Sequence, residues 1–232
     1  MAAAALCLAW AVLAQASSIE FNYKSGITDT MLNKYAPNYS YGNYAYEGLY
    51  NNYSGSSYQS LLRFDNMFGD GNNKIPLGST ISKATLRLYF YTGVGKNERQ
   101  LYRMTSKWDE SSTWRSMGGG VTIGKQTEGS PAATYTDPSR RGAFFDIDVT
   151  SSLQAWAKGA SNLGWVILGT GTDFNYSFYP SSEHPTARLR PTLSVTYTSP
   201  SAATPEPGTL VLMGSAALLL GWRRRRVLLR RC

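Results

Sequence analysis

The chain has 232 residues, with 23 Lys+Arg against 15 Asp+Glu and a formal net charge of +8. At 42% hydrophobic and only 16% charged it is too apolar for a disordered chain and long enough to bury a core. Arg223, Arg224, Arg225, Arg226, Arg230 and Arg231 all lie in the last ten residues; without them and Glu206 there remain 17 basic and 14 acidic side chains, a net of +3 that argues against a nucleic-acid partner.

Residues 1–16 form an apolar run closing on Ala14-Gln15-Ala16, a small-x-small pattern that suits signal peptidase. They are expected to be a signal helix, with Ser17 as the mature start. Residues 17–198 carry no long apolar stripe of helical period. Short runs alternate with period two instead, which marks strands with one buried face. In Ala84–Tyr91, Ala84, Leu86, Leu88 and Phe90 oppose Thr85, Arg87, Tyr89 and Tyr91. The same alternation sets Leu62 and Phe64 against Arg63 and Asp65, and Leu193, Val195 and Tyr197 against Thr192, Ser194 and Thr196. Further strands are predicted at Glu20–Tyr23, Tyr44–Leu49, Arg99–Met104, Ala143–Asp148, Trp165–Leu168 and Phe174–Phe178. One short helix is predicted over Ser151–Lys158, capped by Thr150 and ended by Gly159. Many short strands with one helical turn predict an all-β, two-sheet sandwich.

Residues 199–207 read as a linker ending in Pro205-Glu206-Pro207. An apolar run from Gly208 to Trp222 then meets Arg223, Arg224, Arg225 and Arg226, so 208–232 is expected to be a transmembrane helix with a basic cytoplasmic tail. This order closely resembles the PEP-CTERM sorting tail of Gram-negative bacteria. The resemblance implies an inner-membrane-anchored precursor, recognition at Pro205-Glu206-Pro207 by an exosortase, and delivery to the cell surface or extracellular matrix of a biofilm producer.

A second series of motifs spans the domain. Leu61-Leu62-Arg63-Phe64-Asp65 is followed by Ile75-Pro76-Leu77-Gly78 and the Ala84–Tyr89 strand, then Trp108-Asp109-Glu110 and Thr113-Trp114. Later come Leu153-Gln154-Ala155-Trp156, Asn162-Leu163-Gly164 and Arg190-Pro191-Thr192-Leu193. Asp29-Thr30 and Pro37-Asn38-Tyr39-Ser40-Tyr41-Gly42 precede them. The ordered series resembles the DNRLRE-type domain, related to disaggregatase repeats and to a carbohydrate-binding module family with alginate-binding members. It implies a jelly-roll-like β-sandwich and polysaccharide binding.

Catalytic chemistry finds little support. Cys7 and Cys232 sit at the ends, so the domain lacks a thiol, and His184 alone cannot build a multi-histidine zinc site. Asp146 and Asp148 share a strand face at a spacing compatible with a glycosidase pair, yet they read better as a strand end feeding a helix. Asp109-Glu110 reads as a loop feature beside Trp108. Asp70-x-Asn72 with Asn73 offers oxygen ligands for a structural calcium, without the complete loop such a site requires.

Tyrosine is the unusual feature. Eight of the 16 tyrosines, Tyr35, Tyr39, Tyr41, Tyr44, Tyr46, Tyr50, Tyr53 and Tyr58, fall in one short stretch interleaved with Asn, Gly and Ser. Aromatic faces beside amides suit sugar rings. Arg63, Arg87 and Arg103, with Tyr89 beside Arg87, would bind uronate carboxylates if their strands were neighbours. The expected function is non-catalytic binding of acidic exopolysaccharide through Arg63, Arg87, Tyr89, Arg103, Tyr39, Tyr41, Tyr44 and Tyr46. A structural or adhesive matrix role is the alternative, and a lyase or hydrolase requires Asp146, Asp148 or His184 in a groove.

Overall fold

A computed structural model describes residues 15–22, 24–52, 55–94, 97–171 and 173–200. Where the alternation is strict, the strands form a sheet with one wet face. β1 (Ala16–Phe21), β5 (Thr80–Phe90), β9 (Ala143–Asp148) and β12 (Thr192–Thr198) make a four-stranded antiparallel sheet in the order β1-β12-β5-β9. Leu86, Leu88, Phe90, Leu193 and Val195 point inward, and Arg87 and Ser194 point out.

The second sheet follows different sequence rules because its middle is covered on both sides. It contains β2 (Ile27–Asn33), β3 (Tyr46–Asn52), β4 (Gly55–Phe64), β6 (Thr92–Gly93), β7 (Glu98–Arg103), β8 (Ala133–Thr136), β10 (Trp165–Gly169) and β11 (Asn175–Pro180). The order is β6-β11-β3-β4-β10-β7-β8, with β2 also paired to β4. One face contributes Leu49, Leu62, Phe64, Leu101, Trp165 and Ile167 to the core shared with the first sheet. The other face carries Leu32, Leu61, Tyr102, Met104, Val166 and Leu168, roofed by Trp108, Met117 and Val121 of the long connection after β7. Hence Trp165-Val166-Ile167-Leu168 is an unbroken apolar run, buried throughout. The burial of such side chains contributes about 1.5–3 kcal/mol each and outweighs the lack of alternation.

The all-β sandwich is as the pattern predicts, with differences in detail. β1 begins at Ala16, inside the predicted leader, and pairs with Thr198. β2, β6 and β8 are not among the predicted strands: β2 is buried along most of its length, β6 has two residues, and the four residues of β8 alternate between half-buried and exposed without a fully buried position. The helix α1 spans Thr150–Ala157, but Thr150 does not cap it. The Thr150 hydroxyl instead accepts the Ala84 N–H at 2.9 Å, and the Asp148 carboxylate takes the Thr150 N–H at 2.9 Å. Gly164 turns the chain into β10 with φ +70°, and a Cβ there would lie 2.4 Å from the Leu62 carbonyl oxygen. The signal helix and the 208–232 transmembrane helix expected from the sequence lie outside the described residues. Among the described residues no helix is long and apolar enough to cross a membrane.

Candidate functional site

The connection from β2 to β3 lifts three tyrosines onto the surface. Tyr39 and Tyr44 are 52% and 45% exposed, and Tyr41 lies between them, half-buried. Their ring centroids are 4.9 Å (Tyr39–Tyr41), 4.8 Å (Tyr41–Tyr44) and 6.1 Å (Tyr39–Tyr44) apart, all edge-to-face. The loop is pinned on every side. The Asn33 amide donates to the Tyr41 hydroxyl at 2.8 Å, the Ser40 hydroxyl donates to the Glu110 carbonyl at 2.6 Å, and the Arg115 N–H donates to the Pro37 carbonyl at 2.8 Å. Gly42 permits the closest approach, since a Cβ there would fall 2.5 Å from the Glu110 carbonyl oxygen. These bonds tie the loop to the connection that follows β7.

The other tyrosines of the stretch divide into separate contacts. Tyr46 packs against the exposed Tyr91 at 4.6 Å and against His184 at 5.1 Å. Tyr35, Tyr50 and Tyr58 form a group extended by Phe174, 5.5 Å from Tyr50. Tyr53 lies outside the described residues. Phe174 and Tyr91 have no motif of their own in the sequence; strand pairing of β11 with β3 and β6 brings them beside the tyrosines. His184 is no surface base. It is 5% exposed, its Nδ1 accepts the Thr186 N–H at 3.1 Å, and its Nε2 faces the Tyr46 hydroxyl at 3.2 Å.

The three arginines are not brought together, because β5 belongs to one sheet and β4 and β7 to the other. Arg63 is a structural fork: Nε donates to Asp65 at 2.6 Å, Nη1 to the Trp108 carbonyl and Nη2 to the Thr28 hydroxyl, each at 3.2 Å. Its guanidinium also stands 5.2 Å from the Trp108 ring centroid. Arg63→Lys keeps the charge and loses the planar fork, so urea unfolding should show a loss of about 1–2 kcal/mol. Arg103 pairs with Glu128. Arg87 is 56% exposed on the wet face of the first sheet, where Asp146 takes Nε at 2.7 Å and Nη2 at 2.9 Å. On the same face, Tyr89 and the exposed Phe144 pack edge-to-face with each other, ring centroids 4.9 Å apart.

Asp146 and Asp148 do line a groove, an open cleft of about 510 Å³ whose walls include Thr134, Tyr135 and Ser151. The Arg87 guanidinium holds the Asp146 carboxyl below its ordinary pKa, and the Thr150 hydroxyl and N–H do the same for Asp148. Both are ionised at neutral pH, so neither is the protonated acid that glycoside cleavage requires. Asp109 is likewise held low, chiefly by Ser111 in a tight turn.

Two buried charge clusters were not legible in the sequence. Arg99, fully buried, donates Nε to Asp137 at 2.9 Å, Nη1 to Asn175 at 2.7 Å and Nη2 to Ser177 at 2.6 Å. Asp137 also accepts the hydroxyls of Ser177 and Tyr179. The second cluster is Asp29, Glu47 and Glu183, with Asp29 accepting the Ser182 N–H at 2.8 Å. Burial, followed by the charge of Glu183, raises the Asp29 pKa; burial, followed by the charge of Asp29, raises that of Glu47. Asp70, Asn72 and Asn73 are exposed in their turn, and among the described residues no three His, Cys, Asp or Glu side chains converge as a metal centre.

Residues 21–197 match the model of carbohydrate-binding module family 96. The chain belongs to that family. The matched span runs from the end of β1 to the penultimate residue of β12, so the module is the described sandwich itself. Residues 203–226 match the PEP-CTERM protein-sorting motif, which marks the module for export and surface sorting in Gram-negative bacteria. No curated protein matches the chain. A polysaccharide is thus the partner expected of the module, and an exosortase that of its tail.

Proposed function

We propose that the protein is a non-catalytic module that holds acidic exopolysaccharide at the cell surface or in the surrounding matrix. In this reading the precursor is anchored in the inner membrane by residues 208–232 and released or transferred at Pro205-Glu206-Pro207. The observation that carries the binding role is the Tyr39-Tyr41-Tyr44 ledge, whose Tyr39 and Tyr44 rings are exposed; Tyr46 and Tyr91 form a second aromatic pair. Phenol faces stack on the C–H faces of sugar rings, and Asn38 and Asn43 supply exposed amides for hydroxyl groups.

The acidic preference rests on Arg87. Asp146 engages Nε and Nη2, which leaves Nη1, on the sheet face that Tyr89 and Phe144 share, to donate to a uronate carboxylate. Arg63 and Arg103 are occupied by internal carboxylates and act as supports.

Affinity electrophoresis in alginate and in neutral glucans tests both parts. Tyr39→Ala with Tyr44→Ala should weaken retardation about tenfold in any bound polymer. Arg87→Ala should weaken it about fivefold in the acidic polymer alone. Unchanged mobility of the parent protein across acidic and neutral polysaccharides would sink the reading. Concentration-dependent assembly without glycan would favour the adhesive alternative.

A further inference from the structure

The group of Tyr35, Tyr50, Tyr58 and Phe174 has a geometry of its own. β3 lies between β11 and β4, and its Tyr50 is the register partner of Tyr176 on one side and of Tyr58 on the other. Direct partners across a ladder share a face, and neighbouring strands lie about 4.8 Å apart. Three half-buried tyrosines therefore stand abreast across three strands. An exposed ring rises at each end of the row. Tyr35 meets both Tyr58 and Tyr50 at 6.2 Å between centroids, and Phe174 meets Tyr50 at 5.5 Å and Tyr176 at 6.4 Å. Both stand nearly perpendicular to the Tyr50 ring, at 79° and 87°. The row is thus the floor of a slot, with Tyr35 as its wall on the β4 side and Phe174 on the β11 side. All five rings lie outside the two packed cores.

The slot adjoins the tyrosine ledge through Asn33. This residue is the register partner of Tyr58, its amide donates to the Tyr41 hydroxyl at 2.8 Å, and its Oδ1 accepts the Tyr35 N–H at 2.8 Å. Aromatic rings grouped at a surface, rather than scattered over it, mark an interaction site. We propose that the slot is a second sugar subsite, resting on the binding role proposed for the ledge, and that it takes the next stretch of the same linear polysaccharide. The family makes the occupant a carbohydrate. The five side chains carry no charge, so they meet the C–H faces of the pyranose backbone, and the four phenol hydroxyls can donate to or accept from sugar hydroxyls. Arg87 reads a carboxylate; the slot reads the chain that bears it. Once the ledge is engaged, the slot meets its sugars at a high effective concentration. The module therefore recognises an internal run of a long chain and gains affinity with chain length.

Affinity electrophoresis in alginate and titration with alginate oligosaccharides of increasing length test the slot on the full chain. Affinity of the parent protein should climb about tenfold or more from a short fragment to the polymer. Tyr35→Ala with Phe174→Ala should flatten that climb and weaken retardation in the polymer about tenfold. Its Tm should match that of the parent, because both rings are exposed. Tyr35→Phe with Phe174→Tyr keeps both rings and should keep the climb. An alanine pair that binds the polymer as the parent does, with the same length dependence, overturns the slot and leaves the ledge reading standing. A conservative pair as weak as the alanine pair also overturns it, since stacking on the rings would not then be the interaction. Loss in the alanine pair, with normal binding by Tyr39→Ala with Tyr44→Ala, upholds the slot and removes the ledge. No retardation of the parent in acidic or neutral polymers overturns both.

Discussion

Replacing Arg99 by Met is expected to lower the melting temperature by about 12 °C. The substitution preserves volume and removes a charge, leaving Asp137 fully buried with no cation beside it. Breaking a buried pair in this way costs about 3–5 kcal/mol, and a domain of this size loses about 2–4 °C per kcal/mol. Asn175 and Ser177 lose their donors at the same time. The effect comes from the charge left behind, so Arg99→Met with Asp137→Asn should recover more than half of it, because an Asn oxygen can still accept the Tyr179 hydroxyl. Calorimetry or urea unfolding of the parent, the single variant and the double variant closes the cycle. A double variant as unstable as Arg99→Met would show that packing, not the buried charge, sets the cost.

The same network makes the fold sensitive to alkali. Burial raises the Tyr179 phenol well above its ordinary pKa, with the charges of Tyr135 and Asp137 adding to it; burial and the charge of Asp137 raise Tyr135. A raised folded pKa means the native state retains protons that the unfolded chain releases. The stability is therefore complete below the unfolded value of about 10 and is lost as pH rises through the folded values. Two such groups together remove about 2.7 kcal/mol per pH unit above that point, so unfolding should become steep between about pH 10 and pH 12. Near-ultraviolet titration should show phenols that ionise only with loss of the circular dichroism of the fold. Tyr179→Phe should halve the slope. Ionisation of every tyrosine in a protein that remains folded would contradict this account.

How much of this could be read beforehand depended on where each residue's partners lie along the chain. Leu86 and Leu193 were legible as core because Arg87 and Ser194 stand beside them on a wet face. Trp165 to Leu168 gave no alternation because a second core covers that face, and only the placement of Trp108, Met117 and Val121 explains it. The tyrosine stretch was visible as composition. Its division into a ledge, a Phe174 group and a His184 contact follows from β11 pairing with β3 and β6.

By itself the sequence determined the all-β class, the carbohydrate-binding family and the sorting tail, since these depend on local alternation and on motifs in fixed order. Only the tertiary structure decided the state of the charges. Arg87 meets Asp146 across 59 residues, Arg103 meets Glu128 across 25 and Arg99 meets Asp137 across 38. Asp29 is held by Ser182 across 153. A guanidinium reads the same in a sequence whether it faces water or a buried carboxylate. Strand pairing and desolvation make the difference, and both depend on which distant segments become neighbours.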